Sequence, residues 1–371
     1  MGEALAAADL KGELSETLPS IPGGGRDVRL LCGYVCARRR SQGDEWYNGW
    51  VKLQFERDPK PTALLIGIVW SCGATEYVAN VVVSMLRNEQ VSPNIVGQLG
   101  FGPWTGNLSA DLLEKVLRAM TDTGHQSTAI GILAHRIKSN PGENERWKPL
   151  ALELVTASDL IRSAHMVSYY WKEVAENIVA NNAKEIAAAI FREQADRESG
   201  TWFAEYNDAA GILLKCIAND PTGVWKAMKP YLSSPLDSYR FSIGFPRDVL
   251  ERMPLDDVAA WIAEAPSNRA ATVARLTNKN FSTDETLPSR MIGAYGDNES
   301  VAGAFFSEYL SGTWWGPASA HWVELAQSLE MVSKRTALPK LRVWAANSAR
   351  SLRRMAERDQ QREEEEDLRG R

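Results

Sequence analysis

Cys32 and Cys36 lie four residues apart in "DVRLLCGYVCARRR", a spacing that puts two sulfurs on one face of a helix. Zinc binding would need two more ligands. Neither a second cysteine pair nor an H-E-x-x-H arrangement among His125, His135, His165 and His321 supplies them. A Cys–His nucleophile pair would have to assemble in space, and nothing in the spacing favours one. Cys32, Cys36, Cys72 and Cys216 therefore read as buried core thiols, too few in 371 residues for a disulfide framework. His135 falls off its apolar stripe beside Arg136 and Lys138, which suits a solvated residue. No G-x-x-x-x-G-K-[ST] loop is present to cradle phosphates. "IPGGGRDVRLL" (21–31) brings glycines to a helix start, where amides can meet an anion, but a lone glycine run reads as a hinge into the first ordered helix. No metal, no cofactor and no catalytic residue is expected.

Aromatic surface is the louder signal. "SGTWWGPASAHW" (311–322) holds Trp314, Trp315 and Trp322, three of the thirteen tryptophans, beside two glycines and a proline. It echoes an earlier stretch without a gap. Gly102, Trp104, Gly106, Ser109, Ala110 and Glu114 correspond to Gly312, Trp314, Gly316, Ser319, Ala320 and Glu324. Each copy reads as a glycine-flanked aromatic plug, a serine N-cap and a helix with an early glutamate against its positive end. Trp104 and Trp314 are accordingly expected to seal helix junctions rather than to form a ligand platform.

Charge gives a second candidate surface. From Lys334 to Arg362 nine basic residues face two acidic ones, and "EEEED" then reverses the sign. Leu341, Ala345, Ser348, Leu352 and Met355 make a packing stripe, leaving Arg342, Arg350, Arg353 and Arg354 outward. Such a face can track phosphates or serve as the solvated exterior of a capping helix; the capping role is taken first. "ARRR" (37–40) is read as a helix end, where cations suit the negative pole of the dipole.

The elements that carry these residues are helical. "SADLLEKVLRAMTDTG" (109–124) places Leu112, Leu113, Val116, Leu117 and Met120 on one face between Ser109 and Gly124, a cap pair. "QSTAIGILAHRIKSN", "TEYVANVVVSMLRN", "AEYNDAAGILLKCIAND" and "LDDVAAWIAEAP" repeat the pattern, separated by short Gly, Pro, Asn and Asp punctuation. "LLIGIV" (64–69) is compatible with a strand, but a buried helix suits its neighbours. Successive amphipathic helices with short connections predict an all-α chain of stacked hairpins, a degenerate α-solenoid without a strict period. The composition, 44% hydrophobic and 24% charged with net charge −5, excludes bulk disorder and gives no field to demand a nucleic-acid or membrane partner. The N-terminus, with Glu3, Asp9 and Lys11, does not read as a signal peptide, and the uncharged, mostly apolar run Thr62 to Thr75 is short for a membrane span. A cytoplasmic, reducing setting is expected.

The C-terminal motifs bear a resemblance. "GTWWGPASAHWVELAQSLEM" followed by "LPKLRVWAANSARSLRRMAERDQQREEEE" resembles the C-terminal end of a group of large bacterial proteins. There a W-x-G turn leads into a helix, and a second helix reads roughly P-x-h-R-x-W-A before a Glu/Arg-rich tail. The matching residues are Trp314 or Trp315, Gly316, Ser319, Pro339, Leu341, Arg342, Trp344 and Ala345. "NDPTGVWKAMKPYL" and "LDDVAAWIAEAPSNRAATVARL" are similar to the same pattern, so the resemblance spans most of 219–366. It implies HEAT-like helical repeats, often attached to antiphage-defence or NTPase modules, and carries no catalytic residue over.

These readings give an N-terminal arm at 1–20, a helical repeat region at 21–236, a HEAT-like region with a capping helix at 237–362 and an acidic tail at 363–371. The expected function is non-enzymatic: a protein-binding scaffold, sensor or regulatory subunit in a bacterial antiphage-defence system. Its partner would be a protein: a defence effector, an NTPase subunit or a phage protein. The alternatives are a nucleic-acid-binding array using the arginine face, and an enzyme with an unrecognised site. No membrane partner is expected.

Overall fold

The computed structural model describes residues 1–20, 26–58, 61–88, 91–100, 103–163, 165–196, 207–233, 249–312 and 314–369. Helix starts follow side-chain chemistry. Thr75, Ser109, Asp220 and Asn298 each accept a hydrogen bond from a backbone N–H of the first turn, at 3.2 Å from Val78, 3.3 Å from Leu112, 2.8 Å from Gly223 and 3.0 Å from Ser300. Gly124, at φ 80°, takes the left-handed conformation just past the helix that Ser109 opens. The glycine run of 21–25 lies outside the described residues. No strand occurs among those described, and "LLIGIV" is helical. The chain is all-α, as its periodicity predicts. No helix among the described residues is long and apolar enough to cross a membrane.

Two compact units form, Met1–Ile178 and Val179–Arg371. The first contains α1 (Gly2–Ala8), α2 (Leu14–Thr17), α3 (Arg26–Phe55), α4 (Thr62–Cys72), α5 (Glu76–Arg87), α6 (Pro93–Val96), α7 (Ala110–Asp122), α8 (Gln126–Ser139), α9 (Asn144–Val155), α10 (Ser158–Ile161) and the start of α11 (His165–Ala195). The division falls inside α11, before its kink at Asn182. The sequence boundary at 236/237 lies in 234–248, outside the described residues.

Gly2 lets α1 approach α3 closely: a Cβ there would collide with the Leu30 carbonyl oxygen. The Asp9 carboxylate then turns the chain into α2. It accepts from the backbone N–H groups of Glu13 and Leu14, both at 3.0 Å, and from the Tyr34 hydroxyl at 2.6 Å. Within α3, Gly43 breaks the helix at φ 82°, ψ −178°. "ARRR" therefore precedes an interruption in α3. Its arginines are engaged: Arg38 donates to the Asp9 carbonyl (2.9 Å), Arg39 to Asp44 (2.7 Å), and Arg40 pairs with Glu3.

Cys36 of α3 and Cys72 of α4 are joined by a disulfide, with Cα atoms 5.1 Å apart. This differs from the four core thiols read from the sequence. The reason is packing: α3 lies along α4, and the residue one turn beyond Cys32 meets the end of α4. Cys32 and Cys216 are free and buried, and burial pushes their thiols up, Cys216 to about 12.

The second unit holds the rest of α11 with α12 (Asn207–Asn219), α13 (Pro221–Leu232), α14 (Leu255–Ala263), α15 (Pro266–Leu276), α16 (Leu287–Tyr295), α17 (Glu299–Leu310), α18 (Ala318–Arg335) and α19 (Pro339–Arg369). Aromatic rings knit its core. Trp225 meets Trp261 edge-on at 5.7 Å, and Phe281 sits between Tyr309 (6.1 Å) and Trp344 (5.0 Å). Trp344, buried, donates its indole N–H to the Ala302 carbonyl at 3.1 Å and so ties α19 to α17.

Candidate protein-docking surface on the C-terminal hairpin

The α18–α19 hairpin is pinned along its length by carboxylates. At the turn, Asp284 accepts from the Thr336 hydroxyl (2.5 Å) and the Ala337 N–H (2.9 Å). Lys340 reaches Asp297 at 2.8 Å. Midway, Arg353 of α19 makes two bonds to Glu330 of α18, at 3.0 and 3.2 Å, the fork geometry suited to a carboxylate. At the far end Asp359 accepts from the Trp322 indole N–H (2.8 Å), and Glu363 accepts from the Ser319 hydroxyl (2.5 Å) and backbone N–H (3.3 Å). These partners hold the Asp284, Asp297, Glu330 and Glu363 carboxyls below the ordinary range. The principal cause in turn is the Thr336 hydroxyl, the Lys340 ammonium, the Arg353 guanidinium and the Ser319 hydroxyl.

On this base stands the tryptophan loop. Gly312 (φ 151°) and Gly316 (φ 98°) bracket it, and Pro317 leads into α18. Trp314 stacks on His321 with centroids 4.5 Å apart and planes within 7°, and meets Trp322 edge-on at 5.0 Å. Yet Trp314 remains 39% exposed, and Trp315 is 100% exposed. The plug expectation separates here. Trp104 is a plug: it is 1% exposed, with its indole N–H on the Leu99 carbonyl at 2.7 Å and its own carbonyl accepting from the Ala74 N–H. Trp314 is not: its ring leans on one imidazole and one indole and stays part-exposed. Ser319 also differs from Ser109. It lies inside the first turn of α18 and is itself bonded by Glu363 from the partner helix.

The expected basic face is partly engaged within the hairpin. Arg342, Arg350 and Arg354 are exposed; they donate to the Thr336 carbonyl (2.9 Å), to Asn347 and to Ser351 (3.5 Å) respectively. No ion pair engages these three among the described residues. Arg353 is instead committed to Glu330 of α18, although its side chain stays part-exposed. The expected tail boundary at 362/363 falls inside α19, at the residue that caps α18.

Two exposed indole faces beside an acidic helix end can accept a cation by quadrupole attraction and long-range field. Among the described residues no group of three His, Cys, Asp or Glu side chains is arranged to hold a metal. Comparison with protein-family models, with curated proteins and with solved structures gives no match. The sequence marked the tryptophan loop and misjudged its exposure. A doubled Trp-Trp between two glycines was the available signal, since adjacent residues in an extended loop cannot both face one core.

Proposed function

We propose that the chain is a non-enzymatic protein-binding scaffold or regulatory subunit, and that it docks its partner on the Trp314–Trp315 loop. The observation that carries this is Trp315: a fully exposed indole beside a half-exposed one, held on a hairpin that several side-chain pairs make rigid. Large aromatics at such positions anchor protein interfaces because they bury much area for little lost rotamer freedom. The acidic end of α19 beside the loop selects a partner segment bearing lysine or arginine. Within each unit the helices are read as HEAT-like repeats. By resemblance the setting is bacterial antiphage defence, with an effector, an NTPase subunit or a phage protein as the partner.

The test is identification of the partner with a photo-crosslinker at position 315, followed by quantitative binding with purified components. Trp315→Ser should weaken the complex at least tenfold without moving the melting temperature, as for an interface anchor. Unchanged affinity would refute the assignment. A second reading rests on Arg342, Arg350 and Arg354, exposed cations that no ion pair engages among the described residues. It takes nucleic acid as the ligand and demands salt-dependent binding that a triple Arg→Ser variant abolishes.

A further inference from the structure

The Cys36–Cys72 bond ends on a turn where several elements of the first unit meet. Gly73 closes α4 at φ 81°, and Thr75 opens α5. From the half of α3 before the Gly43 break, Arg39 donates to the Cys72 carbonyl and, at 3.1 Å, to the Gly73 carbonyl. From the half after it, the Tyr47 hydroxyl donates to the Gly73 carbonyl at 3.0 Å, and Asn48 bonds the Thr75 hydroxyl at 2.6 Å. The Ala74 N–H goes to the Trp104 carbonyl at 3.1 Å. Polar contacts from both halves of α3 therefore seat the turn independently of the cross-link.

A disulfide is indispensable where a chain is too short to build a core. The first unit is not: Met1–Ile178 buries Tyr34, Tyr47, Ile66 and Trp104 in a core of its own. The bridged cysteines also differ from the others in access. Cys36 and Cys72 are part-exposed, whereas Cys32 and Cys216 are buried. Exposure opens a bridge to an attacking thiolate, and the contacts of the turn keep the two reduced sulfurs in reach of each other.

We propose that Cys36–Cys72 is a reversible redox lock on this turn, opened by a dithiol and closed by a small disulfide. In opening, a dithiol thiolate attacks one sulfur of the bridge and releases the other as a thiolate, which takes up a proton. The dithiol's second sulfur then attacks the mixed disulfide and frees the second protein thiol. The reagent leaves as a cyclic disulfide, and two electrons have passed to the protein. Closing reverses the flow, with glutathione disulfide reduced to two glutathione thiols. The opened turn keeps its polar contacts but loses its covalent tether to the first half of α3, so it opens locally more often than the unit unfolds.

The test uses the full chain with dithiothreitol and no denaturant. Alkylation read by peptide mass spectrometry should label Cys36 and Cys72 and spare Cys32 and Cys216, and glutathione disulfide should restore the bridge. In the reduced chain the Ala74 amide should exchange with solvent roughly tenfold faster or more, and by a larger factor than the Leu117 amide of α7. The Cys36→Ser, Cys72→Ser double variant should exchange like the reduced chain and respond to neither reagent. The proposal is overturned if dithiothreitol leaves the bridge intact in the folded chain or if Ala74 exchange does not change. It is equally overturned if Ala74 and Leu117 accelerate by the same factor, which makes the bond a staple of the whole unit.

Discussion

Glu363 and Ser319, forty-four residues apart, close the open end of the hairpin, the carboxylate taking both the hydroxyl and the backbone N–H of the serine. A helix start leaves backbone donors without partners, and here the neighbouring helix supplies the acceptor. Glu363→Ala, or removal of 363–371, should lower the melting temperature by a few degrees. Glu366→Ala, on the same acidic run but exposed, should not. Calorimetry of the three proteins side by side decides whether the run begins as structure or as a free tail.

The same chemistry fixes the acid response. Asp284, Asp297, Glu330 and Glu363 all have carboxyls held below their unfolded values. A lowered folded pKa means the contribution is complete above the unfolded value and vanishes as pH falls through the folded one. Stability should be flat near neutrality and decline once pH drops below the ordinary carboxylate range, about pH 4. Melting curves across that range are the measurement. In the Glu330→Gln variant the decline should be shallower, because the unfolded state no longer gains that proton.

Trp104 and Trp315 should behave as opposites. Trp104→Ala empties a buried, hydrogen-bonded site and should cost about 3–5 kcal/mol in denaturant unfolding. Trp315→Ala removes a fully exposed ring and should stay within about 0.5 kcal/mol of the native chain.

The Cys36–Cys72 bond is read out by alkylation. Oxidised protein, denatured without reductant, should take up two alkyl groups, at Cys32 and Cys216, and four after reduction. Cys36→Ser with Cys72→Ser should lose roughly 2–4 kcal/mol relative to the oxidised chain, the usual worth of a cross-link closing a loop of this size.

Local information carried much of this architecture. The Ser109 cap, the Gly124 stop and the burial of Leu341, Ala345, Ser348 and Leu352 follow from spacing alone, because a helix's period sets which side chains share a face. What spacing does not specify is which helix lies opposite. Cys36 finds Cys72, Arg353 finds Glu330 and Glu363 finds Ser319 across gaps that no local pattern encodes. The Trp314 loop shares its motif with the Trp104 turn, yet one is covered and the other is not. Coverage depends on the neighbours, and the motif has no say in them.

Beyond its own helix, no atom among the described residues lies within 4 Å of the position a Cβ on Gly43 would take, and its neighbours Ser41, Gln42 and Asp44 are exposed. Crowding therefore imposes no demand at this site. Its φ of 82° with ψ near 180° does, since that region is essentially closed to residues with a side chain. Gly43→Ala should cost roughly 1–3 kcal/mol even though the added methyl meets only solvent, a value obtainable by urea titration. For a lineage carrying this chain, exposed Gln42 could change beside Gly43 while the glycine itself could not. Gly43 would be kept without a single packing contact, held in place by handedness alone.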